Sequence, residues 1–242
     1  MTALAYHSDP ALKEFMVAEA IAHREADRLI KGTYSNDKRG DNWKGCAVGC
    51  SIHSLRQKRG MEKLSHDDHA GLAETVGMPE HLIRLQDHVF EGLSDAERVL
   101  WPERFYRAPR EGADLSMVWP QFALWLLRDA GLLRVTNRNR KAIQDVIDLY
   151  AEWVATGVCP GKARWKAAYA AAYAGYAAAT SAADYATSAA VTSAAYAGYA
   201  AAYAAYAGYA AAYAVTSAAA AAARQKAWSA IADKLIELMS AA

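Results

Sequence analysis

Residues Gly45–Arg56 read GCAVGCSIHSLR, and whether this stretch is helical decides how the chain is built. At about 3.6 residues per turn, Val48, Ile52 and Leu55 share one face. Cys46, Cys50 and His53 then stand at i, i+4 and i+7 on another face. Gly45 and Gly49 lack a Cβ, so a second helix or a ligand can come close to that end. The stretch is therefore read as a helix that offers sulfur and imidazole on one narrow face.

The segment before it follows the same period. Ser8-Asp9-Pro10 is a helix start, a capping side chain followed by proline in the first turn, and Gly32 is a plausible stop. Leu12, Phe15, Met16, Ala22, Ala26, Leu29 and Ile30 form the apolar stripe between them. Glu19, His23 and Asp27 recur at four-residue steps within that stripe or at its edge. Burying a carboxylate and an imidazole costs several kcal/mol unless each finds a partner. One reading is a polar site inside a helical bundle, for metal or for acid–base work. The other is a partly exposed edge with an ordinary Glu–His contact.

Thiolate and imidazole are zinc and iron ligands, so Cys46, Cys50, His53 and His23, with Glu19 and Asp27, form the candidate ligand or metal site. The spacing is not that of a common zinc motif. It looks like the cysteine triplet of radical SAM enzymes with histidine in third place, but no alternation of strands and helices accompanies it. A cysteine nucleophile activated by His53 or His23 is an alternative, and two small buried thiols in a close helix contact are another.

Further along, His66-Asp-Asp-His69 reads as a solvated cap before Ala70. In the next segment Leu82, Leu85, Val89 and Leu93 form a buried face, with Arg84, Asp87 and Glu91 as exposed ion pairs opposite. WPERFYRAPREGAD reads as a turn-rich connector. Two amphipathic helices follow, WPQFALWLLRDAGLL and RKAIQDVIDLYAEWVATG, joined by a basic turn, TNRNRK. Trp119, Phe122, Trp125 and Leu126 are assigned to core. No segment carries a strand pattern, so the fold class is all-α: an N-terminal helical domain (1–160), then long alanine/tyrosine-rich helix or helices (161–242) that end in an amphipathic helix.

The boundary near residue 160 is compositional. Between Ala167 and Ala223 the one charged residue is Asp184, and AAYAGYAAAY is written twice without change from Ala194 to Tyr213. Alanine favours helix, and tyrosines at three- and four-residue steps supply contact area, so the tail is read as a surface for packing or self-association. Leucine, isoleucine and phenylalanine are absent from this stretch, which argues against a membrane span. Stacking on single-stranded nucleic acid would need a cationic groove that the tail lacks. Ice binding is a further alternative, although Thr180, Thr187, Thr192 and Thr216 have no eleven-residue spacing.

Across all 242 residues, 27 lysines and arginines meet 26 aspartates and glutamates, so there is no global charge case for nucleic acid. Three cysteines make no disulfide framework, and the N-terminus has no basic region leading into an apolar core. The expectation is a cytoplasmic protein. GCAVGCSIH, PEHLIRLQDHVFEGL, WPERF and the alanine-rich repeat ending in ADKLIELM together resemble a family of uncharacterised bacteriophage and bacterial proteins. The resemblance implies a phage or prophage context and brings no activity with it. The leading expectation is an accessory protein whose N-terminal domain binds a small ligand, a metal or a host factor. The alternatives are an enzyme with a Cys/His nucleophile or bound metal (zinc or iron), and a structural or ice-binding rod.

Overall fold

A computed structural model of the chain describes residues 4–38, 40–130, 140–177 and 221–242. Among the described residues the regular structure is helical, and the only β-type pairings are isolated bridges, Leu4 with Asp114 and Leu29 with Gly45. The all-α expectation is met. The twice-written decapeptide and most of the TNRNRK turn lie outside the described residues. Contacts divide the chain into two compact units, Met1–Ser116 with Ile236–Ala242, and Met117–Leu235.

In the first unit, α1 (Pro10–Glu25) starts where the capping signal places it: the Asp9 side chain accepts the Ala11 N–H at 2.9 Å. It stops well short of Gly32. Asp27 adopts φ 51°, a left-handed conformation that aspartate tolerates better than most residues, and the Arg28 N–H turns back to the His23 carbonyl at 2.9 Å. From there the chain runs along the start of the next helix. Ile30 N–H donates to Gly45 O at 2.9 Å, Gly45 N–H to Arg28 O at 3.0 Å and Cys46 N–H to Thr33 O at 2.8 Å. The polar loop is thereby tied to the GCAVGC element.

That element opens α2 (Ala47–Arg59), which ends at Gly60 in the left-handed region. Its Val48, Ile52 and Leu55 face is buried completely. The glycine pair does permit a close approach, but the neighbour is backbone: a Cβ on Gly45 or Gly49 would collide with the Tyr34 carbonyl oxygen. After α2 come α3 (His69–Val76), α4 (Glu80–Gly92) and the short α5 (Asp95–Arg98) and α6 (Trp101–Arg107). Helix α2 packs on α1, α3 and α4, and α1 packs on α6. Leu82, Leu85, Val89 and Leu93 are buried as expected.

The supposed connector WPERF is helical. Pro102 sits in the first turn of α6, where its missing N–H costs nothing, and Trp101, Phe105 and Tyr106 are fully buried. Three large aromatic side chains bury enough apolar area to hold a seven-residue helix that would be marginal alone. The Tyr106 hydroxyl donates to Ser51 Oγ at 2.8 Å, joining α6 to α2.

In the second unit, α7 (Val118–Arg128) and α9 (Lys162–Ala177) both pack on α8 (Arg140–Thr156). Trp119, Phe122 and Leu126 are core, as read, whereas Trp125 is half-buried. Helix α9 carries the first alanine/tyrosine residues, and it buries Trp165, Ala168 and Ala172 at helical spacing. Alanine there acts as a thin contact face. The last helix, α10 (Ala221–Ala241), buries Trp228, Ile231, Leu235 and Met239, the amphipathic pattern expected of it. No helix among the described residues is long and apolar enough to cross a membrane.

A histidine-lined cleft as the candidate functional site

The residues singled out from sequence separate into three places. Asp27, beyond the end of α1, is 91% exposed and pairs with Lys44 at 2.8 Å, away from Glu19 and His23. It leaves the site because the helix ends two residues before it.

Cys46 and Cys50 are turned inward. Cys46 is the N-cap of α2, its sulfur accepting the Gly49 N–H at 3.4 Å. The Cys50 thiol points at two main-chain carbonyls, Gly45 at 3.5 Å and Arg28 at 3.8 Å. Burial pushes both thiols up, and the nearby Asp87 carboxylate raises Cys46 further. A nucleophile or a metal ligand needs the opposite shift. Among the described residues no group of three or more His, Cys, Asp or Glu side chains is arranged to hold a metal ion. Both cysteines are free and buried.

Asp87 explains why the sealed end is polar. It is buried, not part of an exposed ion-pair face, and its Oδ2 accepts His69 Nε2 at 3.2 Å. Burial alone would raise this carboxyl, but hydrogen bonds from His69 and from the Cys46 thiol outweigh it and hold the group ionised. Burial, with the Asp87 charge near it, pushes the Tyr34 hydroxyl up. His69 is therefore a buried partner and not a solvated cap; the cap of α3 is Asp68, which accepts the Gly71 N–H at 2.8 Å.

Glu19, His23 and His53 do come together, across the α1–α2 contact. His23 Nε2 lies 2.8 Å from Ser54 Oγ, and Ser54 donates to Glu19 Oε2 at 2.7 Å. Lys58 Nζ donates to Glu19 Oε1 at 2.6 Å. Ser54 and Lys58 reach one carboxylate because they stand four residues apart on α2. Burial opposes the Glu19 charge, but the bonds from Lys58 and Ser54 prevail and lower it. His23 meets His53 edge to face with ring centroids 6.1 Å apart, and His53 stacks on Trp43 at 3.8 Å. His66, from the segment read as a cap, completes the cluster 5.9 Å from His53.

These side chains line two neighbouring clefts. The larger, about 610 Å³, is bounded by Arg28, Asp37, Lys38, Arg56 and His66 among others. The smaller, about 300 Å³, is bounded by Glu19, His23, Ser54 and Lys58. Arg28, His53 and Gln57 belong to both linings, so the pair of clefts, together the depression, share one wall. Arg28, Lys38, Arg56 and Lys58 stand against Asp37 and Glu19. Burial, helped by a neighbouring imidazole and by Arg28, lowers His23 and His53 to about 4. The imidazoles are thus neutral at pH 7, and the permanent charge of the depression is positive.

Sequence reading missed Arg28, Trp43, Ser54, Arg56 and His66. A usable signal existed for part of this set: His53, Arg56 and Gln57 stand at i, i+3 and i+4, a polar face beside the apolar one. No local signal places Trp43 or His66 there, since both come from segments without helical period. Compared with known proteins, the chain matches no family profile, no curated protein and no solved structure.

Proposed function

We propose that residues 4–116 form a binding module for a small phosphorylated metabolite, held in the depression between Arg28, Lys38 and Arg56. The observation that carries this reading is the lining: four permanent cations against two carboxylates, around a volume suited to a metabolite. Guanidinium groups pair with phosphate through parallel N–H donors, and neutral imidazoles can donate or accept as the ligand requires. Trp43 is buried beneath His53 and stiffens that wall. A cytoplasmic phage or prophage accessory protein that sequesters a host metabolite would need such a module and no chemistry. The metal reading has no supporting ligand group among the described residues, and the cysteine-nucleophile reading has thiols shifted the wrong way. A role for the repeat in self-association is a separate proposal that concerns residues outside those described.

The test is thermal unfolding of the full chain against a panel of phosphorylated metabolites and inorganic phosphate. A ligand present at a hundredfold its Kd stabilises by about 2.7 kcal/mol, a measurable rise in Tm. The Lys38→Gln, Arg56→Gln double variant should lose that rise, and raised salt should weaken it. No shift with any phosphorylated compound would refute the reading.

A further inference from the structure

The three imidazoles around the depression differ in what faces them. His23 is buried, and its Nε2 is committed to Ser54 Oγ at 2.8 Å. His53 is stacked on Trp43 at 3.8 Å. Burial, His66, Arg28 and Arg56 all keep a proton off it, and Glu19 from α1 acts the other way. His66, on the segment between α2 and α3, has more evenly divided surroundings. Burial and Arg56 from α2 keep its proton off, whereas Asp37 from the loop and Asp67 beside it favour one. Its Nε2 meets no protein partner among the described residues, so a proton there breaks no hydrogen bond. The half-buried His66 also lines the larger cleft, together with Arg28, Asp37, Lys38, His53 and Arg56. The ring thus borders the same space as the cations assigned to the phosphate. An opposite charge within about 4–6 Å favours the protonated form of an imidazole. A dianion held by Lys38 and Arg56 brings such a charge into the cleft and offsets the guanidinium that keeps the proton off His66.

Resting on the phosphate-binding reading, we infer that the anion enters the larger cleft together with one proton taken up by His66, so that binding tightens as the solution turns acid. The proton comes from solvent, adds to an imidazole nitrogen and leaves when the anion leaves. No bond to the ligand is formed or broken. The sign follows from linkage: a bound anion raises the titration midpoint of the ring. Affinity therefore rises as pH falls through the midpoint of the complex, and levels off below that of the free protein. His53 does not take the proton, because a charge on His66, 5.9 Å away, adds to Arg28 and Arg56 against it.

Phosphate itself titrates near neutrality, so the probe is inorganic sulfate, a tetrahedral anion that stays doubly charged across the range used. Calorimetry on the full chain measures sulfate and inorganic phosphate at pH 8 and pH 6. Sulfate should bind at least about fivefold more tightly at pH 6. The His66→Gln variant should bind sulfate equally at the two pH values. NMR titration of the histidine rings needs no variant: added sulfate should raise the His66 midpoint more than that of any other histidine. Three results overturn the proton coupling while inorganic phosphate still binds: equal sulfate affinity at the two pH values, a difference that survives His66→Gln, or a His66 midpoint that sulfate leaves in place. Phosphate binding at pH 8 with no sulfate binding at either pH overturns it as well. Failure of both anions to bind at either pH overturns the phosphate reading itself.

Discussion

The two ends of α2 were built from similar material and do opposite things. Its first turn holds Cys46, Gly49 and Cys50, all buried, with the Tyr34 backbone pressed against the glycine and Asp87 behind the thiol. Its later turns present His53, Ser54, Arg56 and Gln57 to the depression. The residues with the most distinctive chemistry in the sequence are consumed in joining loop, α2 and α4. The plainer residues one turn further on line the depression. A reactive residue type is evidence of a site only when its surroundings leave it able to react.

That contrast can be broken most severely by acid. In an unfolded chain imidazole takes its proton near pH 6.5, whereas His23 and His53 at the cleft, and His81 and His88 on α4, hold out to about 4, chiefly through burial. Between those values the unfolded chain binds more protons, so stability is present above pH 6.5 and falls as pH drops toward 4. Urea unfolding monitored across this window should show a steep loss of stability as the pH falls. A flat profile would mean that these rings are solvated.

The sealed end should be the more sensitive to substitution. Asp87→Ala leaves the buried His69 imidazole without its acceptor, and breaking such a buried pair costs about 3–5 kcal/mol. Equilibrium unfolding measures it. Gly49→Ala forces the Tyr34 loop away from α2 and should cost about 3 kcal/mol, the upper end for overpacking. A neutral Gly49→Ala would mean that the Tyr34 carbonyl is not pressed against α2. At the other extreme, Asp27→Ala removes a pair that is 91% exposed on the carboxylate side, and the change in unfolding free energy should stay below about 1 kcal/mol. A larger loss would return Asp27 to the site.

Much of the fold was legible because the period of apolar residues reports burial directly. The Val48–Ile52–Leu55 face, the Leu82–Leu93 face and the α1 start at Asp9-Pro10 all stand as read. The end of α1 was not legible, since Asp27 breaks the helix with a left-handed turn while Leu29 and Ile30 still keep the apolar rhythm. WPERF was misread because turn-like residues surround aromatic side chains whose burial decides the matter. For the site, Glu19, His23 and His53 were found by periodicity. His66 and Asp87 were misassigned to solvent, since their partners lie far along the chain.

The sequence by itself therefore determined the all-α class, the position of most helices among the described residues, several of their apolar faces and that the charges stop before the alanine–tyrosine region. These are local properties, set by side-chain period and backbone propensity. The tertiary structure decided which polar residues are partnered and which face a cleft. It closed Cys46 over Asp87, expelled Asp27, and gathered His23, His53 and His66 from three separate segments. Such choices depend on what packs against each side chain, and distance along the chain carries no record of that.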